Sequence, residues 1–353
     1  MPAVQPDFSD ARLTASLERL LGAEVLTMER VGSGGNNRVY RADLHDGRRM
    51  AVKCYPSQEE DPRDRLGTEY GALVFLRSQG VGDVTAGPIA SKPDEQYAVY
   101  KWIEGEPVNA QEPGLRCDDD MEALLGFIGT LHRLTGISEA SRLRAASGAC
   151  LSGRALLDLI AEARQRLEEV SSGHEDLADY LKGDFDPFFK HCEIRCASQY
   201  EAAGLDLEHE IPLSARTLSP SDFSFHNARR REDGRVVFLD LEYFGWDDPV
   251  KLASDVLWHP GTILSAEEKK QFMAGMNSLF GQDAEFPARF SALFPLVGLR
   301  WCLILLNEFL PEKWYRRAFA GHPHIHETAR ARQLAKARGL LDVIRKDFGE
   351  KTQ

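Results

Sequence analysis

The spacing of apolar positions changes character twice along the chain. Over residues 8–21, Phe8, Leu13, Leu17, Leu20 and Leu21 fall at helical spacing, and Gly22 is a natural stop. Residues 25–31, 38–44 and 48–55 switch to strand patterning, with Asp46-Gly47 as a hairpin signal between the last two. Helical period returns over 62–78, through Leu66, Tyr70, Leu73, Val74 and Leu76, and ends at Gly80. Two more strands are predicted near 84–91 and 96–103. Beyond Glu104-Gly105-Glu106-Pro107 the pattern predicts helices over 118–135, 152–171, 174–202, 265–280, 287–310 and 325–347. One irregular, strand-poor region interrupts them at 211–249. The expected class is α+β and bilobal, with a small antiparallel β lobe over residues 1–103 and a larger, mostly helical lobe over 104–353. A cleft between such lobes is the usual place for a cofactor.

Composition narrows the function classes. The 353 residues suffice for two packed lobes, and 43% hydrophobic with 28% charged residues is ordinary for a globular chain. A net charge of -12 disfavours a nucleic-acid partner, which wants a basic face. No uninterrupted apolar run reaches the roughly 20 residues of a membrane span, and residues 1–10 lack a signal-peptide pattern. No membrane partner is therefore expected. Six cysteines without an export signal suggest reduced thiols and a cytoplasmic location. Cys192 and Cys196, beside His191, have a spacing that suits a metal, but no second ligand pair is near, so packed thiols are the simpler reading. The acidic runs Glu59–Asp61 and Asp118–Asp120 read as solvated surface, or as attraction for a cationic acceptor.

Three segments carry chemistry. Residues 31–40, Val-Gly-Ser-Gly-Gly-Asn-Asn-Arg-Val-Tyr, lie between two predicted strands. Glycines there let backbone N–H groups approach phosphate oxygens. A helix would follow in a dinucleotide fold, whereas here a strand follows. Gly32, Gly34 and Val39 match the kinase glycine-rich pattern, and Asn37 replaces its third glycine. Next, Ala51-Val52-Lys53 places a lysine on a strand, where burial demands a partner. Glu69, on the following helix, is the candidate. Finally, Asp222 precedes Asn227 by five residues, and Asp240 ends the short apolar run Phe238-Leu239 after a turn at Asp233-Gly234. An aspartate that meets an acceptor hydroxyl, an asparagine and a second aspartate on metal are the parts of a phosphoryl-transfer centre.

The run Asp240-Leu241-Glu242-Tyr243-Phe244-Gly245-Trp246-Asp247-Asp248-Pro249 closely resembles the D-x-E-x-x-x-x-G-D-P signature of aminoglycoside phosphotransferases and choline or ethanolamine kinases. Asp247 stands where that family usually has glycine. Leu218 to Asn227 resembles their H-x-D-x-x-x-x-N loop, and Tyr100 to Pro107 resembles their hinge. The resemblance runs in order from about Val31 to Pro249.

It implies a protein-kinase-like fold and an ATP- and Mg2+-dependent transfer to a hydroxyl of a small-molecule acceptor. Gly32, Ser33, Gly34, Val39 and Ala51 would line the nucleotide. Lys53 would hold its phosphates, with Glu69 orienting it, and Lys101, Trp102 and Ile103 would present backbone groups to adenine. Asp222 would be the catalytic base, and Asn227 and Asp240 the metal ligands. Asp248, before Pro249, reads as a helix N-cap. The histidine of H-x-D falls at Pro220, so the usual brace of the loop is missing. His226 is a candidate contact to acceptor or phosphate, or a packed histidine. Trp258, His259, Trp301, Asn307, Glu308 and Trp314 are side chains from which an acceptor site, or simple packing, is built. A nucleotide-binding pseudokinase is the alternative, resting on the missing histidine. A protein kinase is disfavoured, because only a short connection separates Asp240 from the next helix.

Overall fold

The computed structural model describes residues 10–32, 37–59, 61–108, 116–313 and 326–349. In chain order its first elements are α1 (Asp10–Leu21), β1 (Val25–Val31), β2 (Arg38–Leu44), β3 (Arg49–Cys54), α2 (Arg65–Ser78), β4 (Pro88–Lys92), β5 (Tyr97–Lys101) and β6 (Glu106–Pro107). Then come α3 (Asp118–Leu134), α4 (Gly153–Ser171), α5 (Glu175–Asp179), α6 (Asp186–Ala202), β7 (Thr217–Ser219), β8 (Ala228–Arg230), β9 (Val236–Phe238) and β10 (Gly245–Asp247). Last are α7 (Pro249–Trp258), α8 (Ala266–Phe280), α9 (Phe286–Leu305) and α10 (His326–Phe348). The class is α+β, as the apolar pattern predicts.

Two compact units emerge. The first holds the described residues up to 108 together with 227–244, and the second holds 116–226, 245–313 and 326–349. Residues 227–244, assigned from sequence to the helical lobe, thus cluster with the β-rich unit. In the first unit the strands run in the order β1-β2-β3-β5-β4, each neighbouring pair antiparallel. Side chains alternate across a strand. Val52 and Cys54 accordingly join Leu13 and Leu17 of α1 in one core, and Lys53, between them, faces the other side of the sheet. The predicted strand at 84–91 begins late: Gly82–Val84 is a 3-10 turn, and Thr85 bridges to Phe238 of β9 instead of to its sheet neighbour.

In the second unit α9 is the central helix, packed by α4, α6, α7 and α10. Asp248 does cap α7: its carboxylate accepts from Val250 N at 2.8 Å and also meets Arg289 Nε at 3.2 Å. The predicted helix 174–202 is divided by a π-helical turn at Tyr180–Phe185. Pro187, which opens α6, has no N–H to give the preceding turn, so the regular ladder cannot continue through it. Phe286–Phe309 is long and apolar enough to cross a membrane by length and composition alone, although Arg289 and Arg300 interrupt its apolar run. With 67% of its most apolar window buried, it serves here as a core helix.

Two further expectations need correction. Asp61 is 1% exposed, not solvated, because Arg63 and Arg65 pair with it. Asp120 is fully buried, while Asp118 and Asp119 remain exposed in the first turn of α3, where negative charge suits the helix dipole. Cys192 and Cys196 are buried, and burial pushes both thiols up to about 12, which marks them as neutral packing groups.

The start of β10 is tightly confined. A Cβ on Gly245 would lie 2.4 Å from the Arg144 carbonyl oxygen and 2.5 Å from Ala146 N. Both are backbone atoms fixed by hydrogen bonds to Trp246, so they cannot swing aside. Gly245→Ala is expected to cost about 1–3 kcal/mol in urea unfolding. An unchanged midpoint and slope would show that the 144–146 segment yields freely.

Candidate functional site

The first unit gathers charge around one lysine. Lys53 Nζ stands 2.6 Å from Glu69 Oε2, 2.6 Å from Asp240 Oδ1 and 3.6 Å from Glu242 Oε2. The sheet aims it there through the alternation of β3, and α2 brings Glu69 on its buried face. Tyr55 donates its hydroxyl to Glu69 Oε2 at 2.7 Å and meets the Tyr100 hydroxyl at 2.7 Å. Glu242 is claimed at both oxygens: Arg65 donates to Oε1, and Asn37 donates to Oε2 at 2.6 Å. Arg65 in turn pairs with Asp61 at 2.7 Å and donates to the Tyr243 hydroxyl at 2.7 Å.

Asp240 differs from its neighbours. Its side chain keeps 36% of its exposure, against 4% for Glu69 and 1% for Glu242. It also has φ +63°, a backbone state uncommon for a residue with a side chain. The Asn227 carbonyl accepts from Leu239 N at 2.8 Å, which ties the residue just before Asp240 to the second expected metal ligand. Loss of water around the Asp240 carboxylate pushes its pKa up. Lys53 pulls it down, Glu242 and Glu69 push it up again, and it comes to about 7. Carboxylate oxygens of Glu69, Asp240 and Glu242 lie within 4.8 Å of one another. A surplus of crowded negative charge beside one reachable carboxylate is what a divalent cation satisfies, and oxygen donors suit magnesium. The donors around Asp240, the reachable member of this cluster, thus fit a divalent cation such as Mg2+.

The remaining expected nucleotide residues lie in the same unit. Gly32 is exposed, and Val39 and Ala51 are half-buried on β2 and β3. Ser33 and Gly34 lie outside the described residues, as does Trp314. Lys101 N already donates to the Gly87 carbonyl and Trp102 N to the Arg49 carbonyl. Among the described residues, Ile103 is the hinge position whose backbone groups are not so engaged.

Asp222 belongs to the second unit. It follows β7, whose residues pair with β10 at Ser219↔Gly245. Asp222 N donates to the Pro220 carbonyl at 2.9 Å across Ser221, which has φ +66°, a γ-turn of the rarer and strained hand. Ser221 Oγ donates to the Ser147 carbonyl at 3.2 Å and stands 3.4 Å from Lys251 Nζ. That ammonium, on a residue 1% exposed, is held by Asp247 at 3.0 Å and Asp255 at 2.7 Å. Asp247, which replaces the family's glycine, is therefore a counter-ion. Asp222 Oδ1 meets two imidazoles: His226 Nε2 at 3.0 Å and His259 Nε2 at 3.1 Å. Burial pushes the Asp222 pKa up, but these hydrogen bonds outweigh it and hold the carboxyl well below the usual range. Burial keeps His226 below the ordinary histidine value despite its carboxylate neighbour.

Sequence reasoning paired Lys53 with Glu69 but missed Glu242, Arg65, Lys251 and Asp255, and it named His259 only among possible acceptor contacts. The available signal for Lys251 was a charge inside the otherwise apolar run of α7, four residues after Asp247 and four before Asp255.

The whole chain can be compared with known structures. Spectinomycin phosphotransferase APH(9)-Ia, solved with ADP and spectinomycin, superposes with a TM-score of 0.61 over 98% of each chain at 11% identity. The choline kinase LicA from Streptococcus pneumoniae gives 0.56, covering 95% of this chain and 99% of its own at 14% identity. The gentamicin complex of APH(2")-IIa gives 0.60, over 94% and 95%, at 14% identity. This chain has their kinase-like fold. No family model matches the sequence, and no curated protein matches it.

Lys251→Met would leave Asp247 buried without its cation and Asp255 with only Arg300, 3.6 Å away. The expected loss is about 3–5 kcal/mol in urea unfolding. A loss under about 1 kcal/mol would show that water reaches these carboxylates.

Proposed function

We propose that this protein is an ATP- and Mg2+-dependent phosphotransferase that moves the γ-phosphate to a hydroxyl of a small molecule, such as an amino sugar, a sugar or a choline-like metabolite. The observation that carries the reading is the Lys53 ammonium bonded at 2.6 Å to both Glu69 and Asp240, within a kinase-like fold. Similar structures hold ADP or ATP, and nucleotide use is extended here from them. All six cysteines are free, which suits the cytoplasm as the place of action.

Phosphoryl transfer depends on positioning and charge stabilisation rather than on covalent chemistry by the protein. Lys53, oriented by Glu69, would neutralise phosphate oxygens. Magnesium bound at Asp240 and Asn227 would offset phosphate charge. Asp222 would accept a hydrogen bond from the acceptor hydroxyl and aim it. A carboxylate held so far below its usual range is a weak base, so the proton would reach it late, once the hydroxyl oxygen has begun to bond to phosphorus.

Two predictions follow from these assignments. Asp222→Asn is expected to lower magnesium-dependent ATP turnover, against a panel of hydroxyl metabolites and amino sugars, by about a hundred- to ten-thousand-fold while ATP still binds. Near-normal turnover in the variant would remove Asp222 from the mechanism. ATP binding without turnover by the parent would favour a regulatory nucleotide-binding role. The second concerns pH. A proton and a cation compete for Asp240, whose folded pKa lies above the ordinary Asp value of about 3.9. The cation-free fold is therefore penalised as pH climbs through that interval, and cation affinity should rise over it and level off near neutrality. Mn2+ binding followed by electron paramagnetic resonance between pH 5 and 8 checks this, and a flat profile counts against Asp240 as a ligand.

A further inference from the structure

We propose that His226 and His259 are positioning residues, a stacked pair whose two Nε2–H groups grip Asp222 Oδ1 and fix the carboxylate in a single orientation. The inference rests on the phosphotransferase reading for its consequence, and on geometry alone for its substance. It names a brace where the sequence has lost one, since Pro220 stands where the resemblance implies a loop histidine.

The proton positions follow from the neighbours. Gly261 N donates to His259 Nδ1 at 3.0 Å. A ring nitrogen that accepts carries no proton, so the neutral ring bears its proton on Nε2, which faces Asp222 at 3.1 Å. For His226, Thr262 Oγ1 accepts from the backbone N at 3.1 Å and lies 3.3 Å from Nδ1. The threonine hydroxyl proton can satisfy Nδ1. The reverse tautomer would set an imidazole lone pair against a carboxylate oxygen at 3.0 Å, which is repulsive. Both rings therefore present N–H to the same oxygen.

The pair is also held mechanically. The two rings are parallel within 3°, with centroids 3.8 Å apart. Trp301 meets His259 edge-on at 4.6 Å, and its Nε1 donates to Asp255 Oδ1 at 2.9 Å. Gly261 is required where it stands: a Cβ there would fall 2.8 Å from His259 Cε1 and 3.0 Å from Nδ1. A metal ion could be imagined on the same three side chains, whose donor atoms lie within 4.8 Å. It would need a lone pair on His259 Nε2 while Nδ1 still accepts from Gly261, leaving the ring with no proton at all. Hydrogen bonding is the arrangement that this neighbourhood supports.

The test separates shape from hydrogen donation. His226→Phe and His259→Phe keep a flat ring for stacking but remove the N–H. His226→Gln and His259→Gln keep a donor near the Nε2 position. With Mg-ATP and the acceptor panel, each Phe variant is expected to lower kcat about 10- to 100-fold, with the ATP KM within about twofold, and each Gln variant to recover part of the loss. Nitrogen NMR of the labelled parent at pH 8 should show both rings as the Nε2–H tautomer, a readout independent of turnover. Gly261→Ala, which displaces His259 without altering it, should reproduce the His259→Phe loss. An Nδ1–H tautomer on either ring, Zn2+ perturbing both ring Nε2 signals at stoichiometric amounts, or parental kcat in the Phe variants would overturn the proposal. A parent inactive on every acceptor, with both rings in the Nε2–H form, would sink the phosphotransferase reading and with it the catalytic role, while leaving the hydrogen bonds established.

Discussion

Charge taken out of water must be met by opposite charge, and this protein builds both of its units around that requirement. Lys53 is 7% exposed and Lys251 is 1% exposed. Each would be costly to bury alone. Three carboxylates answer Lys53, and two answer Lys251. Arg65 and Arg289, each 2% exposed, extend the same logic to Asp61 and Glu242, and to Asp248 and Asp283. Such pairs contribute little net stability against an apolar core of the same size. Their value is geometric, because a buried ion pair tolerates few alternative arrangements.

The two groups of ions are not equivalent. Around Lys251 each anion is closed off, with Asp247 and Asp255 essentially unexposed, so the network is structural and supports Ser221, the residue just before Asp222. Around Lys53 one anion, Asp240, is left reachable and carries the surplus charge. Incomplete neutralisation is unfavourable for the fold by itself, and a bound cation would relieve it. The backbone agrees with this division. Asp240 and Ser221 hold positive φ without being glycine, each at a cost of about 1–3 kcal/mol. A third such residue, Gln96, sits in the turn between β4 and β5, whereas Asp240 and Ser221 lie at or beside a proposed functional carboxylate and are pinned, Asp240 by Lys53 and Ser221 by Ser147 and Lys251.

What could be read from the sequence was whatever repeats or lies close by. The strand alternation through Val52, Lys53 and Cys54 located the lysine, and the helical spacing around Glu69 located its partner. The five-residue step from Asp222 to Asn227 and the Asp248-Pro249 cap are equally local. Long-range partners carried no such mark. Nothing near Arg65 announces Glu242, 177 positions away, and nothing near Asp222 announces His259. Asp61 looked solvated because acidic runs usually are, and only the two arginines that follow it reverse that. The π-turn ahead of Pro187 was foreseeable from the proline, whereas the late start of β4 depends on Thr85 finding β9.

Asp222 and Asp240, the proposed catalytic and cation-binding aspartates, show how neighbours set one side chain in opposite ways. Burial alone would raise both. Asp222 receives N–H donors from His226 and His259, and its carboxyl falls well below the usual range. Asp240 receives one ammonium but two further carboxylates, and it rises to near neutrality. The difference lies in neighbours, not in depth. An aspartate that must aim a hydroxyl benefits from being permanently ionised and rigidly held, since orientation is the larger part of what phosphoryl transfer asks of it. An aspartate that must take up a cation benefits from being poorly satisfied until the cation arrives. Hydrogen donors on the first and competing anions around the second would serve both of these proposed roles with ordinary side chains.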